Sequence, residues 1–260
     1  MRDRPRFHAE DLSPDRLLLS AEEAHHARNV LRLRAGEAVE LFDGRGSVAA
    51  GRIDEVARAK VVVAVEGRWR IDDRAAPLIH LAFATPKGKR LDWLLEKATE
   101  LGAASLRPVV FERSAARLLA GGGQASAALG GRLSAATRQR WLAHCVAAAK
   151  QSGLNWLPEI RQPLGLEEFL TGALTGPEGY VGLVGVVDGG TRAVREVLAD
   201  APPGRDLCLL VGPEGGMTKA EMTAAFEAGF VPARLGRTTL RVETAAIALL
   251  AAAVAICEAR

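Results

Sequence analysis

From residue 78 onward, short apolar runs alternate with helical stretches, and this alternation limits the possible folds more than any other feature of the chain. Residues 78–84 read as a buried strand. Leu91, Leu94, Leu95, Ala98 and Leu101 then recur at helical spacing and stop at Gly102. Residues 109–111 mark a further strand and 132–152 a helix, while 114–131, rich in Ala, Gly and Ser, read as a loop or weak helix. Strands follow at 180–187, 207–211 and 230–235, separated by helices at 192–198 and from Thr218 to about Ala228. Thr218 and Glu221 form a capping box, Gly229 fits the helix end, and 243–258 is the last helix. Short strands separated by helices predict an α/β fold with a parallel sheet covered by helices.

Residues 1–74 follow a different rule. Val39 and Leu41 alternate, Asp43-Gly44 makes a turn, and residues 48–53 and Val61, Val63 and Val65 alternate again. Strict alternation with glycine-bearing turns predicts half-buried antiparallel strands. Residues 16–19 add a short strand. Ser20 and Glu23 form a capping box for a helix through about Leu33, which Gly36 closes. One short helix among several strands predicts a small barrel. The polar stretch 72–77 reads as the linker, which gives domains at 1–74 and 75–260.

A length of 260 residues accommodates two such domains, and 48% apolar with 25% charged residues excludes disorder as the dominant state. The longest near-apolar run, 245–257, is too short and too alanine-rich to span a bilayer, so no membrane association is expected. The N-terminus has arginines but no apolar stretch behind them, so no secretory signal is expected. Cys145, Cys208 and Cys257 give neither a disulfide framework nor a zinc spacing. A reduced, cytoplasmic protein is the expectation. Charge is uneven. Residues 75–161 carry twelve basic and five acidic side chains, net +7, against net 0 before and −4 after. A basic middle segment suits a polyanionic partner; ordinary surface lysine and arginine is the alternative.

Two loops concentrate the chemistry. In Leu209-Leu210-Val211-Gly212-Pro213-Glu214-Gly215-Gly216-Met217-Thr218, a hydrophobic strand runs into three glycines and then a capped helix. Ligands in open α/β sheets bind at the carboxyl ends of strands, where glycine lets backbone approach a ligand. A tight turn is the competing explanation. Neither a P-loop nor G-x-G-x-x-G is present, which disfavours a nucleotide-dependent dehydrogenase. In the second loop, Leu235-Gly236-Arg237-Thr238-Thr239-Leu240-Arg241-Val242-Glu243-Thr244-Ala245, a strand again ends before a helix. Glu243 suits the positive end of that helix, or pairs with Arg241. The helix behind is apolar on every face, which predicts burial by the sheet or by a second subunit.

These loops, with the T-x-x-E helix between them, resemble the C-terminal signature of the trefoil-knotted SPOUT methyltransferases. The closer resemblance is to the RsmE family, the 16S ribosomal RNA uridine-N3 methyltransferases, and it covers nearly the whole chain. Pro5-Arg6-Phe7-His8, His25-His26-Ala27-Arg28-Asn29-Val30-Leu31-Arg32-Leu33 and Leu41-Phe42-Asp43-Gly44 are similar to its PUA-like β-barrel. Lys87-Gly88, Leu95-Glu96-Lys97-Ala98-Thr99-Glu100-Leu101-Gly102 and Ala149-Lys150-Gln151-Ser152-Gly153 are similar to its catalytic domain. The chain departs from the family at Leu154, at 186–188, where a histidine-containing pattern is missing, and at Arg237 and Val242.

The resemblance implies a C-terminal knot that holds S-adenosylmethionine, a homodimer with the last helix in its interface, and methylation of uridine 1498 of 16S rRNA in the small ribosomal subunit. It implies cofactor contacts at Val211, Gly212, Pro213, Glu214, Gly215, Gly216, Leu235, Gly236, Leu240, Thr244 and Ala245. A sulfonium methyl is already activated, so no metal is needed. Uracil N3 must lose a proton, and Glu243 as base with Arg241 as cation are the candidates by loop position. Arg4 and Arg6 on the N-terminal arm, Arg28 and Arg32 four apart on one helix face, and Lys87 and Lys89 are candidate RNA contacts, with a solvated basic face as the alternative. His25 and His26 read as structural or surface residues. A non-catalytic RNA-binding or assembly protein fits the barrel and the basic segment equally well.

Overall fold

A computed structural model of the chain describes residues 4–58, 60–71, 77–114, 132–173, 180–187 and 190–258. Most of the expected linker, the expected loop or weak helix after Ser114, and Asp188 lie outside the described residues. The chain divides into two compact units. Unit 1 is Met1–Arg74 with Val146–Leu157, and unit 2 is Ala75–Cys145 with Pro158–Arg260. Among the described residues, no helix is long and apolar enough to cross a membrane.

In unit 1, β1 (Arg6–His8), β2 (Arg16–Leu18), β3 (Ala38–Phe42), β4 (Ser47–Ala57) and β5 (Lys60–Arg70) form one sheet in the order β1-β3-β4-β5-β2. The β3-β4, β4-β5 and β5-β2 pairs are antiparallel, as alternation predicts, whereas β1 joins β3 in parallel. Bulges at Ala50/Gly51 and Ile53/Glu55 bend the long β4-β5 ladder. Phe7, Leu17, Leu19, Val39, Leu41, Ile53, Val61 and Val63 fill the core on one face. The turn after β3 is held by Asp43, whose Oδ1 accepts from the backbone N–H groups of Arg45 and Ser47.

The helix of unit 1 departs from expectation. Ser20 caps α1 (Ala21–His25), but the next turn, His26–Val30, is a π-helix, and Arg32 sits at φ +56°. A non-glycine residue there ends a helix. Arg28 and Arg32 therefore do not share a helix face, and the helix stops before Leu33 and well before Gly36. The Glu23 carboxylate does not close the capping box. It accepts from the backbone N–H of His8 and from Lys150 Nζ at 2.6 Å. Burial, with Lys150 nearby, pushes the His26 imidazole below its usual range, in keeping with a structural role.

Arg6 also departs from expectation. It is 6% exposed rather than on a solvent-facing arm. Its Nε pairs with Glu40 Oε1 at 2.8 Å, and its Nη1 donates to the carbonyls of Ala149 and Leu154. Its Nη2 donates to Asn155 Oδ1, and the guanidinium lies 4.6 Å from the Phe42 ring centroid. No nitrogen is left for a phosphate, so Arg6 is a strut that fixes Val146–Leu157 to this sheet, not an RNA contact. The same segment explains Gly46, which at φ +95° turns the chain under Trp156, where a Cβ would lie 2.5 Å from the indole.

In unit 2, six strands run parallel in the order β12 (Val231–Arg234), β10 (Val181–Val186), β11 (Leu207–Val211), β6 (Ile79–Ala84), β7 (Ser105–Val110) and β8 (Glu159–Ile160), and β9 (Leu164–Gly165) also pairs with β7. The helices are α2 (Lys89–Glu100), α3 (Ala135–Ser152, whose last turns belong to unit 1), α4 (Leu166–Ala173), α5 (Val194–Ala199), α6 (Lys219–Glu227) and α7 (Val242–Glu258). Every residue of β11 is buried, as expected of a central parallel strand covered on both faces. β12 lies outside β10, yet α7, which follows it, packs on α2, β6, β11 and α5. The chain therefore doubles back across the ends of β10 and β11 after leaving β12.

The buried Arg6–Glu40 pair gives a stability test. Removing one partner of a buried ion pair costs about 3–5 kcal/mol, while an exposed change stays within about 0.5 kcal/mol. Arg6→Ala is expected to lower the urea midpoint of the N-terminal transition by the larger amount, and Arg4→Ala to leave it unchanged.

Candidate active site

The parallel sheet brings the carboxyl ends of β10, β11 and β12 side by side. After β11 the chain passes through Gly212-Pro213-Glu214-Gly215-Gly216, closed by a Gly216 N–H to Pro213 carbonyl bond of 2.8 Å. Thr218 then starts α6 with a complete capping box: its N–H donates to Glu221 Oε2 at 2.7 Å, and its hydroxyl accepts from Glu221 N–H at 3.2 Å. Glu221 Oε1 also accepts the backbone N–H of Glu112, and Arg113 Nη1 donates to the Gly215 carbonyl at 3.1 Å. The segment after β7 thus holds the glycine loop from the side.

The second loop leaves β12 at Arg234. Its N–H and Nε donate to the carbonyls of Arg192 and Thr191 respectively, which ties the end of β12 to the segment before α5. Residues 235–240 then lead into α7, whose first turn contains Glu243.

Between the loops lies a cavity of about 770 Å³, within the usual range for small-molecule sites. Val211, Gly212, Pro213, Glu214, Gly215, Gly216, Leu235, Gly236, Leu240 and Ala245 line it, so the structure brings together every expected cofactor contact except Thr244, which is exposed. It adds Gly185 and Val186 at the end of β10, Val187 and Thr191 beyond it, Met217, Met222 and Phe226 on the α6 side, and Pro232, Thr238, Thr239 and Val242. The signal for the β10 contribution was in the sequence, as the third strand end of the same sheet. The wall is mostly apolar, with threonines, Glu214 and backbone groups as the polar points. No lysine or arginine is among the lining residues, which suits a ligand without phosphate. At Gly236 a Cβ would meet no protein atom within 4 Å, so the missing side chain leaves room in the cavity.

The two expected catalytic residues separate. Arg241 is exposed, and Glu243 is buried behind the cavity wall between Val242 and Ala245. The partner of Glu243 is Arg90 at the start of α2, whose Nη1 lies 3.9 Å from Glu243 Oε1 and 2.5 Å from Glu214 Oε1. Sequence reasoning missed Arg90, because only the fold brings α2 to these loops. Arg4, Arg32, Lys87 and Lys89 are exposed, and Arg28 is half-buried, its Nη1 donating to the Ala57 carbonyl.

A smaller cavity of about 190 Å³ lies at the amino ends of β6, β7 and β11, lined by His80, Ser105, Arg107, Arg161, Tyr180 and Cys208 among others. Burial pushes the Cys208 thiol up to about 12 and the Cys145 thiol up to about 11, so neither is a thiolate near neutral pH. No cysteine lines the larger cavity.

Residues 74–254 match the RNA methyltransferase domain family and residues 19–66 the RNA methyltransferase PUA domain family. The chain is 31% identical to ribosomal RNA small subunit methyltransferase E of Mycobacterium tuberculosis, over 90% of this chain and 84% of that one. It is 29% identical to the Bacillus subtilis protein of the same name, over 90% and 88%. Among solved structures, a Legionella pneumophila protein in complex with S-adenosylmethionine aligns with a TM-score of 0.81 at 31% identity, covering 98% of each chain. Ribosomal RNA small subunit methyltransferase E of Neisseria gonorrhoeae, bound to S-adenosylmethionine, aligns at 0.78 and 29% identity, covering 96% of each.

Proposed function

Because the chain belongs to the ribosomal RNA small subunit methyltransferase E family, an RNA methyltransferase family with a PUA domain, we propose that it methylates N3 of uridine 1498 in 16S rRNA with S-adenosylmethionine as donor. The observation that carries this reading is the cavity between the 212–216 and 235–240 loops, in a chain whose similar solved structures include two bound to S-adenosylmethionine. Residues 75–260 are the methyltransferase domain in this reading. Residues 1–74 are the RNA-binding domain, with Arg4, Arg28 and Arg32 near phosphates and Lys87 and Lys89 extending the contact. The protein acts in the cytoplasm.

The residues present fit the cofactor. Backbone groups of Gly212–Gly216 and of residues 235–240 hold the adenine and methionine parts, Met217, Met222 and Phe226 supply apolar contact, and Gly236 leaves space. When bound, S-adenosylmethionine supplies a methyl group already activated on a sulfonium, so the protein needs mainly to position a nucleophile in line with it. Uracil N3 becomes that nucleophile on losing its proton. Glu243 is the proposed base, and a nearby cation steadies the negative charge that spreads onto O2 and O4. Arg241, exposed beside the loop, meets the RNA there. Overall the N3–H proton goes to Glu243 and then to solvent, N3 gains the methyl group, and a neutral thioether leaves.

The active form in this reading is a homodimer. Along α7, Val242, Ala246, Leu249, Leu250 and Ala253 are buried within the chain, whereas Ile247, Ala251 and Val254, spaced along the other face, are only partly covered. A second copy of the chain closes that face.

Three outcomes are expected. Gly236→Val should fill the cavity and abolish calorimetric binding of S-adenosylmethionine, with the unfolding midpoint within about 0.5 kcal/mol of wild type. Light scattering should give a dimer at micromolar concentration, and Ala251→Glu with Val254→Glu should give an inactive monomer; a stable, active wild-type monomer would rule the dimer out. Mass mapping of small-subunit RNA from a strain lacking this activity, before and after treatment with the protein and cofactor, should show a single new N3-methyluridine. A non-catalytic assembly protein would leave the RNA unmethylated.

A further inference from the structure

Arg90 faces two carboxylates at once, one from the 212–216 loop and one from the first turn of α7. Its guanidinium faces Glu214, which lines the cavity, at 2.5 Å, and Glu243, which stands behind the wall, at 3.9 Å. The Glu214 side chain is half exposed, the Arg90 side chain about a third, and the Glu243 side chain 9%. The Glu243 oxygen paired with the cation, at 3.9 Å, is Oε1. Oε2 is buried and has no hydrogen-bond partner among the described residues. A buried carboxylate oxygen without a donor is costly, and a catalytic role is one physical reason to keep it. Arg241, the cation expected from the sequence, is exposed and bears no such relation to Glu243.

We propose that Arg90 is a positioning residue for methyl transfer. It holds Oε1 of Glu243 so that Oε2 stays free to receive the N3 proton of the uridine, and through Glu214 it ties that carboxylate to the loop around the cofactor. This role rests on the function proposed above. In the step, the N3–H bond breaks and its proton passes to Oε2. The N3 electron pair forms the bond to the methyl carbon while the carbon–sulfur bond breaks onto sulfur, and the proton then leaves Glu243 for solvent. Arg90 touches neither reacting atom. It fixes one oxygen of the base and balances the carboxylate charge until the proton arrives. A guanidinium suits this because one rigid fork can meet two carboxylates from different elements.

The test is a set of variants, Arg90→Gln, Arg90→Lys, Glu214→Gln, Glu243→Gln and the double variant R90Q/E243Q, all in the full chain. Two quantities are read: single-turnover methyl transfer at saturating RNA and cofactor, and calorimetric affinity for S-adenosylmethionine. Because Arg90 is partly exposed, R90Q should unfold at the wild-type midpoint. Misplacing the base should lower its transfer rate about 100-fold, with the RNA KM nearly unchanged. R90K should recover most of the rate, since an ammonium can still meet Oε1. R90Q/E243Q should be no slower than E243Q, because Arg90 acts through Glu243. R90Q and E214Q should each weaken cofactor binding by the same small factor, about threefold, as expected for a partly exposed pair. Rates of R90Q equal to wild type, or losses that multiply in the double variant, would overturn the role while leaving methyl transfer itself intact. A wild type that binds cofactor but transfers no methyl group would overturn the proposed function and this role together.

Discussion

The position of β10 between β11 and β12 is the constraint on which the candidate site depends. The three strands are parallel, so their carboxyl ends open at one edge of the sheet, and loops separated in sequence by a whole helix and strand meet there. Glycine in these loops and the wholly buried β11 follow from the same need: backbone must come close to a ligand while the strand behind it stays rigid. The return of α7 from β12 over β11 and β6 closes the cavity from behind and puts Glu243 behind its wall, between the lining residues Val242 and Ala245. The knot that the resemblance in sequence implies requires a return of this kind.

Unit 1 depends on a different device. The core against the sheet is apolar, but the segment 146–157 is fixed to unit 1 by charge and aromatic contacts: Arg6, itself paired with Glu40, to Asn155 and two carbonyls, Lys150 to Glu23, and Trp156 against Gly46. Buried pairs of this sort add little stability over an apolar core, yet they are costly to break and so fix a single arrangement. A truncation at residue 74 would strip this segment of its partners, so single substitutions are the cleaner way to separate the roles of the two units.

Much of this was legible in the sequence because local signals agreed with the fold. Alternation at 39–65, helical spacing from Leu91 and the Thr218–Glu221 box each specify an element without help from distant residues, and each is present in the structure. The cavity loops were legible for the same reason: a buried strand, then glycine, then a capped helix. What was missed depends on distant residues. The strand β1 has three residues and no pattern of its own; it exists because Phe7 fits the core of unit 1 and β3 offers a free edge. The short strands β8 and β9 and the helix α4 pair or pack only once β7 is in place. Arg6 and Arg90 look like any surface arginine in the sequence, and only the fold reveals one as a strut and the other as a bridge between two carboxylates. Arg28 and Arg32 were misjudged because a capping box predicts where a helix starts, not that a π-turn and a left-handed Arg32 will end it.

The central claim is that the cofactor sits at the carboxyl ends of β10, β11 and β12. Backbone amide chemical shifts of labelled protein titrated with S-adenosylmethionine test this most directly, because unit 2 offers a competing cavity at the opposite ends of the strands. Saturable changes centred on Gly212, Gly215, Gly216, Gly236 and Leu240, with His80 and Arg107 unmoved, are the predicted result. Changes centred on His80, Arg107 and Cys208, with the glycine loops silent, would contradict it.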